Sequence, residues 1–115
     1  MIQQGDIVLI TYPFTNLSST KVRPALVVSS NEFNASNKEA IFVFITSQYY
    51  DTPFDLQVSQ NNSGFEMTGL HQRSTVRIGK IATLHIDLVK RRLGHMPPAL
   101  MKEVKKILNF LLHLS

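Results

Sequence analysis

The sequence predicts a mainly β (α+β) fold: a small antiparallel barrel or coiled sheet closed by one C-terminal helix. Two observations indicate this architecture. Short runs of β-branched and aromatic residues alternate with polar, turn-rich segments through most of the chain. From residue 97 onward, apolar residues recur instead at helical spacing. The chain has 115 residues, of which 43% are hydrophobic, so we expect a single domain over residues 1–115 with one hydrophobic core.

The first two strands are predicted on either side of a polar loop. GDIVLITYPF (5–14) is rich in β-branched and aromatic residues, which are typical of a strand. TNLSSTK (15–21) is polar and turn-rich, which is typical of a loop. RPALVVSS (23–30) then predicts the second strand. Its proline lacks a backbone N–H and therefore suits the first residues of a strand, and it forces Arg23 into an extended conformation.

The middle of the chain predicts further strands. EAIFVFITSQ (39–48) is apolar almost without interruption, so we expect a third strand that is covered on both faces. The asparagine-rich segment 31–39 before it is expected to be a loop that can include one helical turn. DTPFDLQVS (51–59) alternates apolar and polar residues, which indicates a weaker strand followed by a turn. Residues 69–88 are expected to form two short strands, broken near Gly79.

An amphipathic helix is predicted to follow Pro97. One face is apolar, with Leu100, Val104, Ile107, Leu111 and Leu114, widened by Met101, Leu108 and Leu112. The opposite face is polar, with Lys102, Lys106, Asn109 and His113. Prolines at the first helical positions complete the signal for a helix start.

Composition narrows the class of protein. The absence of cysteine excludes a disulfide scaffold and a thiolate metal site, and it fits a cytoplasmic protein. The N-terminus lacks the features of a signal peptide, and no apolar run approaches the roughly 20 residues of a spanning helix, so we expect no membrane partner. A net charge of +4 favours a polyanionic partner. Many of the cations lie in the last third: Lys80, Lys90, Arg91, Arg92, Lys102, Lys105 and Lys106.

No common catalytic motif is present. The sequence contains no GxSxG, no glycine-rich phosphate loop and no DxD pair, so serine hydrolase and nucleotidyl-transfer activities lack support. The histidines are not spaced as metal ligands, apart from the weak His85-x-Asp87 pair, and are expected in solvent: His71, His85, His95 and His113. We therefore expect neither a metal nor a cofactor.

Arg23 and Thr46 are the candidates for chemistry. If residues 22–30 and 40–46 pair as antiparallel strands, the start of one lies beside the end of the other, which places both residues at one rim near Ser47. A guanidinium fork beside hydroxyl groups suits a phosphoryl group. Spacing alone leaves a simpler alternative, and favours it: Arg23 is a solvated strand end or an ion-pair partner, for example of Asp6.

The order of several motifs resembles the MazF/PemK family of endoribonuclease toxins. These motifs are GDIVL near the start, RPALVVSS after a variable loop, FITSQ at the end of the third strand, and STVRIGKIATL before a terminal amphipathic helix. The resemblance covers nearly the whole chain. It implies an SH3-like barrel with helices, usually a homodimer. It also implies cleavage of single-stranded RNA without a metal, giving a 2′,3′-cyclic phosphate and a 5′-hydroxyl end, and inhibition by a cognate antitoxin.

The resemblance assigns catalytic roles to Arg23 and Thr46. It therefore favours a functional Arg23 over a solvated strand end. Arg23 matches the family's catalytic arginine, and Thr46 of FITS matches its catalytic threonine or serine. Some members also use an arginine and, two residues later, an aspartate. Here Arg77 is present but Gly79 stands at the aspartate position, which leaves the proton acceptor unassigned. Because arginine is a poor general base, we interpret Arg23 as a charge stabiliser or acid and Thr46 as orienting the phosphate.

Further residues are expected to contact RNA. The loop 15–21 would cover the substrate, and the predicted contacts are Thr20, Lys21, Ser47, Gln48, Ser74 and Arg77. Thr75 is expected at the same rim as Ser74, whereas Tyr49 and Tyr50 are expected to pack a loop or a dimer face rather than stack on bases.

Two classes of function follow. The first is an endoribonuclease toxin with single-stranded RNA, a cognate antitoxin and a second copy of the chain as partners. The second is a non-catalytic SH3-like module that binds nucleic acid or a peptide, such as a toxin that has lost activity. Intact Arg23 and Thr46 favour the first, and Gly79 slightly favours the second.

Overall fold

The structure, a computed structural model, describes residues 1–11, 21–36 and 38–114. It contains six strands: β1 (Asp6–Thr11), β2 (Val22–Val27), β3 (Glu39–Thr46), β4 (Asp55–Val58), β5 (Ser74–His85) and β6 (Val89–His95). There are two helices, α1 (Asn31–Ser36) and α2 (Pro98–Leu112), and two short 3-10 helices, Phe65–Thr68 and Ile86–Leu88. None of the helices in the described ranges is long and apolar enough to cross a membrane.

The six strands form one antiparallel sheet in the order β4-β5-β3-β2-β1-β6. The prediction of a mainly β fold with a C-terminal helix is confirmed. The barrel is not closed among the described residues, because β4 and β6 stand at the two ends of the strand order. The sheet is therefore a coiled, open version of the predicted barrel.

Strand β3 lies near the middle of the sheet and is covered on both faces, as its continuous apolar sequence predicts. Val43 and Ile45 belong to a cluster that also contains the buried residues of α2. Ala40 and Phe42 point to the other face, into a second cluster with residues of β1 and β2. The expectation of one core is therefore wrong: the alternation of side chains along central strands divides the buried residues into two clusters.

Residues 69–88 do not form two short strands, because β5 runs unbroken from Ser74 to His85. The irregularity predicted at Gly79 is a bulge. Phe44 pairs with Arg77, whereas its neighbour Val43 pairs with Ile81, so three residues of β5 lie between the partners of two consecutive β3 residues. β3 pairs with β5 on both sides of the bulge, and β4 pairs with the part of β5 that precedes it.

Strand β6 has no counterpart among the sequence-based expectations. It is an edge strand that pairs with β1 and exposes three consecutive cations, Lys90, Arg91 and Arg92. Exposed positive charge is common on edge strands, where it opposes pairing with other chains. The same charge hides the apolar alternation by which a strand is recognised in a sequence.

Helix α2 begins and ends close to its predicted limits. Leu100, Met101 and Val104 are buried against the sheet, and the polar stripe is exposed as expected. The apolar face is shorter than predicted, because Leu112 and Leu114 are mostly exposed. Segment 31–39, expected to be a loop, contains the short helix α1.

Candidate functional site

The structure brings Arg23 and Thr46 together at one end of the sheet. Strands β2 and β3 are antiparallel with Ala25 opposite Phe44, and the continuation of this register places Arg23 opposite Thr46. Both residues line two adjacent cavities of about 340 and 360 Å³, sizes within the range of small-molecule sites. They therefore lie at the junction of the two cavities.

Pro24 explains why the sheet opens at this point. Backbone N–H groups point to alternate neighbours along a strand, and the N–H of Val28 donates to Ile41 of β3 at 2.9 Å. Position 24 therefore also faces β3, but proline has no N–H to donate. The pairing between β2 and β3 begins only after it, at Ala25. Pro24 thus leaves a gap in the pairing between β2 and β3, and the adjacent Arg23 is exposed at this gap.

Arg23 is exposed and forms no ion pair with any residue in the described ranges. The suggested partner, Asp6, is engaged elsewhere. Its buried carboxylate contacts Arg92 Nε at 3.2 Å and His95 Nδ1 at 3.0 Å, and it accepts the N–H of Gln3 at 2.9 Å. An Asp6–Arg23 ion pair is therefore wrong, and so is the expectation that His95 is a fully solvated histidine.

The hydroxyl of Thr46 is oriented by the chain that follows it. The backbone N–H of Gln48 donates to Thr46 Oγ1 at 3.1 Å. Because a hydroxyl has one hydrogen and two acceptor positions, this bond leaves the hydrogen of Thr46 for a group in the cavity. The side chain is half-buried, so it reaches the cavity without being freely mobile in solvent.

The first cavity extends from Arg23 and Thr46 towards β5. Its remaining lining residues are Phe44, Ile45, Gln48, Tyr50, Arg77 and Lys80. In a regular strand, residues 77 and 80 would point to opposite faces, because side chains alternate along a strand. The bulge in β5 allows both Arg77 and Lys80 to line the same cavity.

Arg77 is held from two sides. Asp55 stands opposite it on β4, and Arg77 Nε donates to Asp55 Oδ1 at 2.8 Å. The guanidinium carbon also lies 3.7 Å from the centre of the Tyr50 ring, a cation–π contact. Tyr50 thus packs a loop, as expected, and it does so against a residue of the site.

Asp55 does not replace the carboxylate missing at Gly79. Its side chain is only 2% exposed, and its second oxygen, Oδ2, accepts both the N–H and the hydroxyl of Thr52, at 3.1 and 2.6 Å. Both oxygens are therefore engaged, and neither can easily collect a proton from a substrate. At Gly79 itself, an added Cβ would meet nothing within 4 Å, so the position is open to solvent.

The second cavity lies on the other side of Arg23 and Thr46. Its polar lining comprises Ser47, His71, Gln72, Ser74 and Arg91, above an apolar wall that includes Leu9, Leu70 and Leu93. Ser74 is buried, and its hydroxyl donates to the carbonyl of Gln72 at 3.0 Å, so it supports the wall. Thr75 is also buried and donates to Gln57 Oε1 at 3.0 Å, which removes it from the rim.

The predicted RNA contacts divide into three groups. Ser47 and Ser74 line the second cavity, and Gln48 and Arg77 line the first. Lys21 is exposed but lines neither cavity. Thr20 and most of the loop 15–21 lie outside the described residues. Four further residues of the site were not predicted from the sequence: Lys80, His71, Arg91 and Asp55. For Asp55, the signal is its charge, which is opposite to that of Arg77 at the paired position, but this signal requires the strand register.

The electrostatic character of the site is positive. Within the described part of the chain, the two cavities are lined by no carboxylate and by four basic side chains: Arg23, Arg77, Lys80 and Arg91. No three His, Asp or Glu side chains in the described ranges are close enough together to hold a metal ion. Such a surface attracts a polyanion.

Comparison with known proteins decides the family. The sequence model described as "PemK-like, MazF-like toxin of type II toxin-antitoxin system" matches residues 3–112. The chain belongs to this family. A search of curated protein sequences finds no match.

Solved MazF structures have the same fold. A mycobacterial endoribonuclease in complex with its cognate antitoxin is 21% identical, with a TM-score of 0.81, covering 100% of this chain and 98% of that one. A MazE–MazF complex from Deinococcus radiodurans is 23% identical, with a TM-score of 0.78 and coverage of 99% and 98%. The toxin MazF-mt6 of Mycobacterium tuberculosis is 15% identical, with a TM-score of 0.77 and coverage of 96% and 98%. At these identities the likeness concerns the fold.

Proposed function

We propose that this member of the MazF/PemK toxin family is an endoribonuclease that cleaves single-stranded RNA. The observation that carries the proposal is the position of Arg23 and Thr46 at the junction of two cavities with cationic linings. A strand that passes from one cavity to the other brings a phosphate to this junction. Residues 1–115 act as one toxin domain in this proposal.

The proposed chemistry is an internal transfer of the phosphodiester. The 2′-oxygen of the nucleotide before the cut attacks phosphorus and loses its proton, the bond from phosphorus to the 5′-oxygen breaks, and that oxygen gains a proton. The products are a 2′,3′-cyclic phosphate and a 5′-hydroxyl end. Arg23 would stabilise the charge that develops on the phosphate oxygens, because its fork can donate two parallel hydrogen bonds. Thr46 would donate its free hydrogen to the same phosphate and orient it.

His71 is the candidate for the proton acceptor that Gly79 leaves open. It lines the second cavity together with Arg23 and Thr46, and imidazole can accept and return a proton near neutral pH. The other described lining residues offer arginine or lysine cations, hydroxyls, the amides of Gln48 and Gln72, or apolar groups. We therefore assign proton transfer to His71 in this proposal.

Metal independence is part of the proposal. Divalent cations such as Mg²⁺ prefer carboxylate and carbonyl oxygens, whereas the described lining of both cavities offers cations. In this mechanism the arginine supplies the charge that a metal would otherwise supply.

We also propose that a cognate antitoxin binds this chain, that the active form is a homodimer, and that it inhibits growth from the cytoplasm. The solved relatives with this fold include toxins described as complexes with an antitoxin. The positive cavities would speed the capture of an acidic antitoxin segment, and binding would then weaken as salt rises.

The deciding experiment is incubation of the purified protein with a long single-stranded RNA in EDTA, followed by mapping of cut sites and end chemistry. Cleavage with 2′,3′-cyclic phosphate and 5′-hydroxyl ends supports the proposal. Binding of RNA without cleavage would instead support the non-catalytic module. A DNA strand of the same sequence is the matched control, because it lacks the 2′-hydroxyl and should stay intact.

A further inference from the structure

Arg77 differs from the other cations of the site in being fixed by neighbouring side chains. We propose that Asp55 and Tyr50 hold Arg77 as a clamp for a second phosphate of the RNA, adjacent to the phosphate at Arg23. The inference rests on the proposed function, because it takes RNA as the ligand of the same site. Arg77 is already a predicted RNA contact; the inference adds the phosphate as its ligand and names Asp55 and Tyr50 as positioning residues.

The geometry of Arg77 leaves one edge of its guanidinium for a ligand. Nε is used by Asp55 at 2.8 Å, and one face of the group covers the Tyr50 ring at 3.7 Å. No other hydrogen bond or ion pair joins Arg77 to the described residues. The two terminal nitrogens therefore keep their donors. The side chain is 24% exposed and lines the cavity that it shares with Arg23.

The positioning residues are themselves held in place. Asp55 is buried and accepts two hydrogen bonds from Thr52 through the oxygen that does not face Arg77. The backbone carbonyl of Tyr50 accepts from Gln57 Nε2 at 2.6 Å, and Gln57 in turn accepts from Thr75. This network ties the loop that carries Tyr50 to β4 and β5. A guanidinium held in this way loses little conformational freedom on binding.

A phosphate fits this clamp better than a nucleobase does. One face of the guanidinium already covers the Tyr50 ring, which leaves one face fewer for a base to stack on. Lys80 lines the same cavity and adds a second positive charge, which favours an anion. A planar fork of two nitrogens matches two phosphate oxygens. A strand with one phosphate at Arg23 extends along the cavity and places a neighbouring phosphate within it.

The test is the salt dependence of binding to a short 2′-O-methyl RNA oligonucleotide, measured by fluorescence anisotropy. The methyl group blocks the attacking oxygen, so binding is measured without cleavage. For single strands, log Kd changes with log salt by about 0.7 for each phosphate contact. Arg77→Gln should weaken binding about tenfold or more, the scale for losing a hydrogen bond to a charged group. It should also reduce the slope by about 0.7.

Four variants separate the clamp from a loss of folding. Asp55→Asn/Arg77→Gln removes both charges without leaving a buried carboxylate unpaired, and it should reproduce the smaller slope. Tyr50→Leu should weaken binding, and Tyr50→Phe should weaken it less, because phenylalanine keeps the ring face that Arg77 covers. Lys102→Gln is the matched control, because Lys102 is exposed on α2 and lines a different cavity; the slope should not change.

The outcomes separate a phosphate clamp at Arg77 from a contact with a base and from a failure of the proposed function. An unchanged slope in both Arg77 variants overturns the clamp, and so does a changed cut-site sequence with an unchanged slope, which would indicate contact with a base. A wild-type protein that does not bind the oligonucleotide also overturns it. A wild-type protein that binds with the expected slope change but does not cleave unmodified RNA contradicts the proposed function and leaves the clamp standing.

Discussion

Gly79 and Gly94 both lie in strands, and we expect the same substitution by alanine to have opposite effects at the two positions. A Cβ added at Gly94 would lie 2.1 Å from the carbonyl oxygen of Met67 and 2.6 Å from that of Thr68. A Cβ added at Gly79 would meet nothing within 4 Å, and neither glycine has a positive φ. The difference comes from the close approach of the chain at Gly94 and not from the local backbone conformation.

The expected changes in the free energy of unfolding follow from these contacts. Forcing an extra methyl group into a packed site costs about 1–3 kcal/mol, and Gly94→Ala belongs at the upper end because backbone atoms must move. Glycine in a strand interior is less stable than alanine by roughly 0.5–1 kcal/mol, so Gly79→Ala should stabilise the protein by that amount. For a chain of this length, 1 kcal/mol corresponds to roughly 3–6 °C in melting temperature.

Thermal and urea unfolding of the two variants provide the assay. Gly94→Ala should also reduce RNA cleavage, because the segment it displaces continues into residues 69–72, which line the second cavity. Gly79→Ala should keep full activity. A Gly94→Ala variant as stable as the wild type, or a strongly destabilised Gly79→Ala variant, would refute the reasoning from contacts.

Substitutions at Thr46, His71 and Asp6 are expected to have defined effects. Thr46→Ala should reduce single-turnover cleavage of RNA, and Thr46→Ser should reduce it less because the hydroxyl is kept; equal losses would contradict the role of the hydroxyl. His71→Asn should reduce the rate of cleavage, because an asparagine side chain cannot accept the proton in place of the imidazole, whereas His85→Asn, at an exposed position away from both cavities, should keep the wild-type rate. Asp6→Ala should lower stability in urea unfolding by about 2 kcal/mol, because several hydrogen bonds to a buried carboxylate are lost; an unchanged midpoint would count against this network.

The sequence predicted most of the fold because the central elements carry regular patterns. The apolar run of β3 and the helical spacing of α2 both identify elements buried against the rest of the chain. Strand β6 was missed because its exposed cations obscure the alternation, and its place depends on pairing with the distant β1. The bulge in β5 was mistaken for a break, because a glycine signals an irregularity without indicating whether pairing continues across it.

The candidate site was only partly predictable for a similar reason. Antiparallel pairing of two strands was enough to bring Arg23 and Thr46 to one rim. The pairing of Asp55 with Arg77 depends on the register of β4 against β5, which the sequence does not determine. The approach of His71 to the second cavity depends on how a connecting segment packs. Both are tertiary effects that local patterns do not record.

The most direct test of the account is cleavage of single-stranded RNA in EDTA by the wild type and by Arg23→Ala. We expect the wild type to cut and the variant to be slower by roughly 10² or more, the scale for removing one preorganised charge stabiliser. Arg23→Lys should restore little, because an ammonium cannot copy the bidentate fork. The melting temperature should change little, since Arg23 is exposed and has no ion pair in the described ranges. A wild-type protein inactive on varied RNAs, or a folded Arg23→Ala variant with full activity, would contradict the account.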